Sequence, residues 1–362
     1  MMAGKKQIYP GKPWLDTEGK RIQAHGAGVF YEDGIFYWYG ENKEFTDGKN
    51  KQIWTWGIRM YSSSDLVNWK DEGLVIKPEP NKKTSVLNPK RKMDRPHLLK
   101  CPSTGKYVIW VKFIDICHFA VFTSDDIHGP YTIVEDHYAP NGLKPGDFDI
   151  DADPETGKAY LFVEDDHKRV VAFELNDDYC GIHGEPVIIY QGLNPPFSRE
   201  GVTHIARGGK HYIVTSGMTG YVPNPSEVAI ADDWMGPYVV QGNPHVDDLT
   251  DASFNSQISY IFKHPEKKDL YISVADRWLP EYPLDAEKVD WLRRTIGSNY
   301  DRTLKASFSE KMKMIFSSPV SPFAKPANTS IADYVWLPLR FEGDRLLVDW
   351  KDAWSPDEYE GK

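Results

Sequence analysis

VFYEDGIFYWY, residues Val29 to Tyr39, decides the fold: an apolar run enters a turn at Asp33-Gly34 and leaves it as a Tyr- and Trp-rich run. Glycine at such a turn supplies the positive φ of a tight hairpin, and the flanking aromatic and β-branched residues suit a half-buried pleated surface. The same unit returns at His97 to Trp110, Ile150 to Phe162, Thr203 to Val214 and Ile258 to Ser273. Three of these hairpins are followed by a second strand pair with a related closing phrase: SSSDLVNW (Ser62 to Trp69), TSDDIHGPY (Thr123 to Tyr131) and ADDWMGPY (Ala231 to Tyr238). Four strands per unit and five units of roughly 50 to 70 residues predict an all-β, five-bladed β-propeller over residues 1–362. A β-sandwich with recurrent turns is the alternative.

Composition narrows the function. The chain has 362 residues and a formal net charge of −10 with both signs interspersed, which argues against nucleic acid or an anionic membrane surface as partner. No apolar run is long enough to span a bilayer. Cys101, Cys117 and Cys180 lack metal-ligand spacing and read as free, buried thiols. MMAGKKQIYPGKPW, at the start, is basic without the apolar core of a signal peptide. Two compartments follow: periplasmic or secreted if a leader has been removed, cytoplasmic if Met1 is the native start.

Trp, Tyr and Phe make up 13% of the chain, with 12 tryptophans, more than hairpin packing alone requires if some lie beside polar groups. The first strand of a propeller blade lines the central channel, so the residues opening each unit are the candidates for a site. They are polar in every unit: Gln23 to Gly28 with Glu41 on the return, Asp94-Arg95 before His97, Asp147 to Asp151, Arg199-Glu200 before His204, and Asn255 to Gln257. Burying such groups at a crowded axis costs roughly several kcal/mol unless they are paired or meet a ligand. Convergent carboxylates between aromatic walls point to glycoside cleavage, which needs a protonated acid for the leaving oxygen and a second group for water or for attack on the sugar. Glu200, between Arg199 and an apolar strand, is the expected acid, and Asp94 the carboxylate that orients it and adjusts its pKa. A charged plug without chemistry is the alternative.

IQAHGAG, FYWYGEN, DRPHLL, GKYVIW, GKAYLF, REG, TSGMTGYVPNPSEVAIA, NSQ, ADRW and YVWLPLRFEGD, in that order, resemble glycoside hydrolase family 43, and within it the exo-β-1,3-galactanase subgroup. The likeness runs from about Ile22 to Trp354. It implies an inverting, exo-acting enzyme that releases galactose from a β-1,3-galactan or a related polysaccharide, with no cofactor, although some relatives hold a structural calcium ion on the axis. By the same resemblance Glu200 is the acid, Asp94 the pKa-modulating carboxylate, and Gln257 stands at the base position. Glu41, Asp147, Asn224, Thr219, Arg277, Trp336, His25 and Asp149 are the implied substrate-binding residues. His25, His97 and His204 lack the spacing of a metal motif.

The chain departs from the family pattern at three places. His25 stands where the wider family has an aspartate base, which leaves the base open between Gln257 and a carboxylate such as Asp149. Asp94 replaces the subgroup's glutamate, which bears on the preferred sugar. Between Trp278 and Tyr334 lie 55 residues, read as an insertion at about 282–329 with a helix over Asp285 to Arg294, a loop-like remainder around Pro319, Pro322 and Pro326, and residues at the pocket rim. Inversion predicts roughly 6.5–9.5 Å between the acid and the water-activating group. A furanosidase and a catalytically silent sugar-binding propeller are the competing functions; oligomeric state is not legible.

Overall fold

The computed structural model describes residues 6–50, 52–282, 285–299, 306–317 and 327–362. Five antiparallel sheets form the blades of a β-propeller. The first comprises β1 (His25–Glu32), β2 (Ile35–Glu41), β3 (Ile58–Ser63) and β4 (Lys70–Ile76). The second comprises β5 (Met93–Lys100), β6 (Tyr107–Phe113), β7 (His118–Ser124) and β8 (Thr132–Tyr138). The third runs β9 (Pro145–Ala152), β10 (Ala159–Asp165), β11 (Arg169–Leu175) and β12 (Ile182–Tyr190). The fourth runs β13 (Arg199–Arg207), β14 (Lys210–Gly217), β15 (Ser226–Ala231) and β16 (Val239–Gly242). The fifth begins with β17 (Gln257–Lys263) and β18 (Tyr271–Arg277). It resumes after two helices, α1 (Ala286–Gly297) and α2 (Phe308–Ser317), with β19 (Asp333–Tyr334), β20 (Leu337–Glu342) and β21 (Arg345–Val348).

Each hairpin unit read from the sequence is the first strand pair of a blade, and each closing phrase is the turn between its third and fourth strands. The inner strands close a ring: β1 packs on β5 and β17, β5 on β9, β9 on β13, and β13 on β17. The apolar core is divided accordingly into five clusters, one along each seam between neighbouring blades. The seam between the first and fifth blades is the aromatic one. Trp14, Trp38, Trp69 and Trp336 pack there ring against ring, mostly edge to face, Trp354 joins them by donating its indole N–H to Trp336 O at 2.8 Å, and the chain ends meet beside them where Ile8 and Trp354 exchange backbone hydrogen bonds of 2.7 and 3.1 Å.

In the inserted segment, α1 starts at Asp285, whose carboxylate accepts the Lys288 N–H at 2.8 Å, and buries Val289 and Leu292 as the spacing predicts. A second helix, α2, replaces part of the expected loop and meets α1 through Arg294 and Glu310 at 3.3 Å. Pro319, Pro322 and Pro326 lie outside the described residues. All three cysteines are free, but only Cys101 is buried; Cys117 is exposed.

Candidate active site

One local device builds the site three times. His25, Asp94 and Glu200 each stand at the start of an inner strand and are followed by a residue with left-handed backbone, Gly26 (φ 57°), Arg95 (φ 51°) and Gly201 (φ 60°). The strand register slips at each of these positions. A bulge of this kind re-aims the preceding side chain and frees a backbone N–H from the ladder. Each freed N–H goes to a carboxylate of another blade: Gly26 to Asp276 Oδ2 (2.9 Å), Arg95 to Glu41 Oε1 (3.0 Å), Gly201 to Asp147 Oδ2 (2.9 Å). Glycine is required at the first and third for space as well as φ. A Cβ on Gly26 would strike the Glu41 carboxylate, and one on Gly201 would approach Ser216 Oγ to 2.8 Å.

Two of these carboxylates, Glu41 and Asp147, line a cleft of about 180 Å³ together with Asp94 and Glu200, while Asp276 lines a small void beside it. Their environments differ. Asp147 is clamped by Arg95 Nη2 (2.9 Å), by the Lys112 ammonium and by the Gly201 N–H. Burial opposes its ionisation, but the two cations prevail and hold its carboxyl below the ordinary carboxylate range. Glu200 lines the same cleft. Burial, and then the negative charge of Asp147, push its pKa up to about 8, against the pull of Lys112 and Arg95. Glu41 is likewise raised to about 8, by burial first and Asp94 among the charges, although Lys43 Nζ stands 2.6 Å from it. The charge that most raises Glu200 is therefore Asp147, whereas the sequence pointed to Asp94. Asp94 Oδ1 accepts the Trp54 indole N–H at 2.6 Å and lies 3.8 Å from Lys43 Nζ.

Three aromatic rings form the walls: Trp54, Tyr221 and Trp278. Tyr221 stands between the other two, its ring centroid 6.1 Å from that of Trp54 and 5.2 Å from that of Trp278. The Trp278 indole donates to Gln257 Oε1 at 3.3 Å, while Gln257 Nε2 donates to Ser216 Oγ at 2.8 Å and to Glu200 Oε1 at 3.4 Å. Gln257 thus touches the expected acid. The separation anticipated for a water-activating partner on the opposite face is not met by this pair, because β13 and β17 are neighbours in the ring.

Of the residues singled out from sequence, Glu41, Asp94, Asp147, Glu200 and Gln257 come together in the cleft, and Asn224 lines a void of about 10 Å³ next to it. The other five do not line either space. His25 is wholly buried, its Nδ1 on Asp276 (2.8 Å), its Nε2 on the Tyr334 hydroxyl (3.1 Å). Asp149 lies deeper on the axis, accepting from Thr203 Oγ1 and the His204 N–H. Arg277 uses its guanidinium on the carbonyls of Gly11, Phe254 and Asn255. Trp336 belongs to the tryptophan seam. Thr219 and Asn224 hydrogen-bond within their own loop. Trp54, Lys112, Tyr221 and Trp278 were missed. Lys112, a single charge in the otherwise apolar strand YVIWVKF, carried the one signal: a buried lysine requires a carboxylate. No described residue of the 282–329 insertion lines the cleft; residues 283–284, 300–305 and 318–326, on which the expected rim contribution also falls, lie outside the described residues. Among the described residues no group of three or more His, Cys, Asp or Glu side chains has metal-holding geometry.

The sequence model of glycosyl hydrolases family 43 matches residues 27–277, well over half of the chain. A comparison with curated protein sequences returned no match. Among solved structures, a GH43 β-1,3-galactosidase superposes with a TM-score of 0.77 at 28% identity, over 98% of this chain and 65% of its own, so this chain spans less than two thirds of that relative. A second GH43 β-1,3-galactosidase, solved with galactodeoxynojirimycin, gives 0.75 at 24% identity over 96% of this chain and 100% of its own. An exo-β-1,3-galactanase from Phanerochaete chrysosporium, solved with β-1,3-galactotriose, gives 0.75 at 22% identity over 97% and 68%. These last two relatives show a common fold.

Proposed function

This chain belongs to glycosyl hydrolases family 43 and is a glycoside hydrolase, and from that premise we propose that it removes galactose, with inversion, from the non-reducing ends of β-1,3-galactan or a related galactose-containing polysaccharide. The observation that carries the mechanism is a pair lining the cleft: Glu200, raised to about 8, next to an Asp147 held ionised by two cations. Below that pH Glu200 keeps a proton to give to the departing glycosidic oxygen. Asp147 supplies the negative charge that maintains it.

Water attack requires a group across the cleft. Glu41 is committed to the Lys43 ammonium at 2.6 Å and to the Arg95 N–H at 3.0 Å. Asp147 is committed to Arg95, Lys112 and Gly201. Asp94, on the second blade and separated from the fourth blade's Glu200 by the third, is left to take the proton as the water oxygen bonds to the anomeric carbon. Gln257 then holds the acid in place. The galactose assignment draws on the β-1,3-galactosidase that is 28% identical.

The test is hydrolysis of an aryl-glycoside panel and β-1,3-galactan by wild type, Glu200→Gln and Asp94→Asn, with the anomer followed by NMR. Galactose appearing first as the α-anomer, lost in both variants, with azide restoring turnover in Asp94→Asn, is expected. Release of a furanose would overturn the substrate; sugar binding without turnover would leave a binding propeller.

A further inference from the structure

The β14–β15 connection is fastened at its base by the two residues that sequence comparison marked as sugar ligands. Asn224 accepts the Gly217 N–H at 2.5 Å and donates to Gly217 O and Thr219 Oγ1, both at 2.7 Å. The Thr219 hydroxyl closes on Val222 O, and Ser253 Oγ donates to Asn224 O at 2.7 Å. A loop bonded in this way holds its tip in one place, and the tip is Tyr221. Tyr221 borders both the cleft of about 180 Å³ and the void of about 10 Å³, as do Gly220, Gln257 and Trp278, and it is the aromatic residue that this loop adds to that boundary. Burial, followed by the charges of Asp94, Glu41 and Asp147, which line the same cleft, raises the Tyr221 pKa well above the ordinary phenol value, which keeps the O–H a donor.

We propose that Tyr221 is a specificity-determining residue: its ring, braced between Trp54 and Trp278, ends the sugar-binding cleft, and its hydroxyl donates to the terminal sugar that fits there. This rests on the glycosidase reading, because it takes the cleft to be the sugar site. A saccharide extended or capped at its non-reducing end meets the ring and is refused, so attack is confined to chain ends. Thr219 and Asn224 are positioning residues acting through the loop.

Binding separates this proposal from the hydrolase assignment, since it needs no turnover. The probes are β-1,3-galactobiose and the same disaccharide carrying a 3-O-methyl cap on its non-reducing sugar, titrated calorimetrically into protein with wild-type Tyr221, Tyr221→Phe, Tyr221→Leu and Tyr221→Ala of verified circular dichroism, each carrying Glu200→Gln so that the probe is not cleaved during the titration. Wild-type Tyr221 and Tyr221→Phe should bind only the uncapped sugar, Tyr221→Phe about tenfold more weakly for want of one hydrogen bond. Tyr221→Leu and Tyr221→Ala should accept both, bringing the capped-to-uncapped affinity ratio near one. Should the ratio in both shortened variants stay at the wild-type value, or neither sugar bind any of the proteins, the proposal is overturned. Loss of hydrolysis in a wild type that still discriminates the cap would remove the enzymatic reading and leave the wall intact.

Discussion

The tryptophans of the seam and the tryptophans of the cleft are the same residue in two kinds of burial. In the seam, the indole N–H groups of Trp14, Trp38, Trp69 and Trp354 end on backbone carbonyls, at 2.8–3.2 Å, and that of Trp336 is buried with no hydrogen-bond partner among the described residues. In the cleft, Trp54 donates to the carboxylate of Asp94 and Trp278 to the amide of Gln257. A backbone partner is present whatever the neighbouring side chains are, so the seam needs only size and shape. A side-chain partner makes the indole part of the chemistry. Burial does not separate the regions, since Trp278 is buried like the seam rings while Trp54 is half-buried; the side-chain hydrogen-bond partner does.

The difference is open to direct tests. Glu200→Gln should cut turnover by about 10²–10⁴-fold, the usual contribution of general acid catalysis, without lowering the melting temperature, because it replaces a buried acid by a neutral isostere. A fall in stability equal to that of a seam variant would erase the distinction. Trp336→Ala should do the reverse, costing about 3–5 kcal/mol in denaturant titration while turnover per folded molecule is unchanged. Trp54→Phe keeps an apolar ring but removes the N–H on Asp94; about 1.5–3 kcal/mol of transition-state stabilisation should disappear from kcat/KM, with little change in unfolding midpoint.

The smallest effect is one of pH. Glu200 must be protonated to act, and its pKa is raised to about 8, so kcat/KM should fall as pH rises through that value. Asp147→Asn removes the negative charge that raises it and leaves Arg95 and Lys112 beside it. The alkaline limb should therefore move to lower pH, and an unmoved limb would assign that limb to another group.

Much of the fold was legible because its signals are local. The hairpin turns, the closing phrases and the Val289/Leu292 face of α1 depend on residues a few positions apart. The second helix was not, since the nearby prolines outweighed the apolar spacing of Phe308–Ser317. In the site, inner-strand positions led to Asp94, Asp147, Glu200 and Gln257, all of which line the cleft, with Glu41 from a return strand. The same rule failed for His25 and Asp149, whose side chains are paired below the cleft. It could not reach Trp54, Tyr221 or Trp278, which come from connections between strands rather than from strand openings.

What the sequence by itself determined is the blade: a period of two, punctuated by turn residues, specifies each hairpin without reference to the rest of the chain. Tertiary structure alone decided which charge meets which. Gly201 finds Asp147 across 54 positions, Arg95 finds Glu41 likewise across 54, and Gly26 finds Asp276 across 250. These pairings exist only once five blades close into a ring, and on them depend the raised acid and its ionised neighbour. Electrostatic environment belongs to the assembled ring, because it is set by distance through the folded interior, whereas strand and turn are set by distance along the chain.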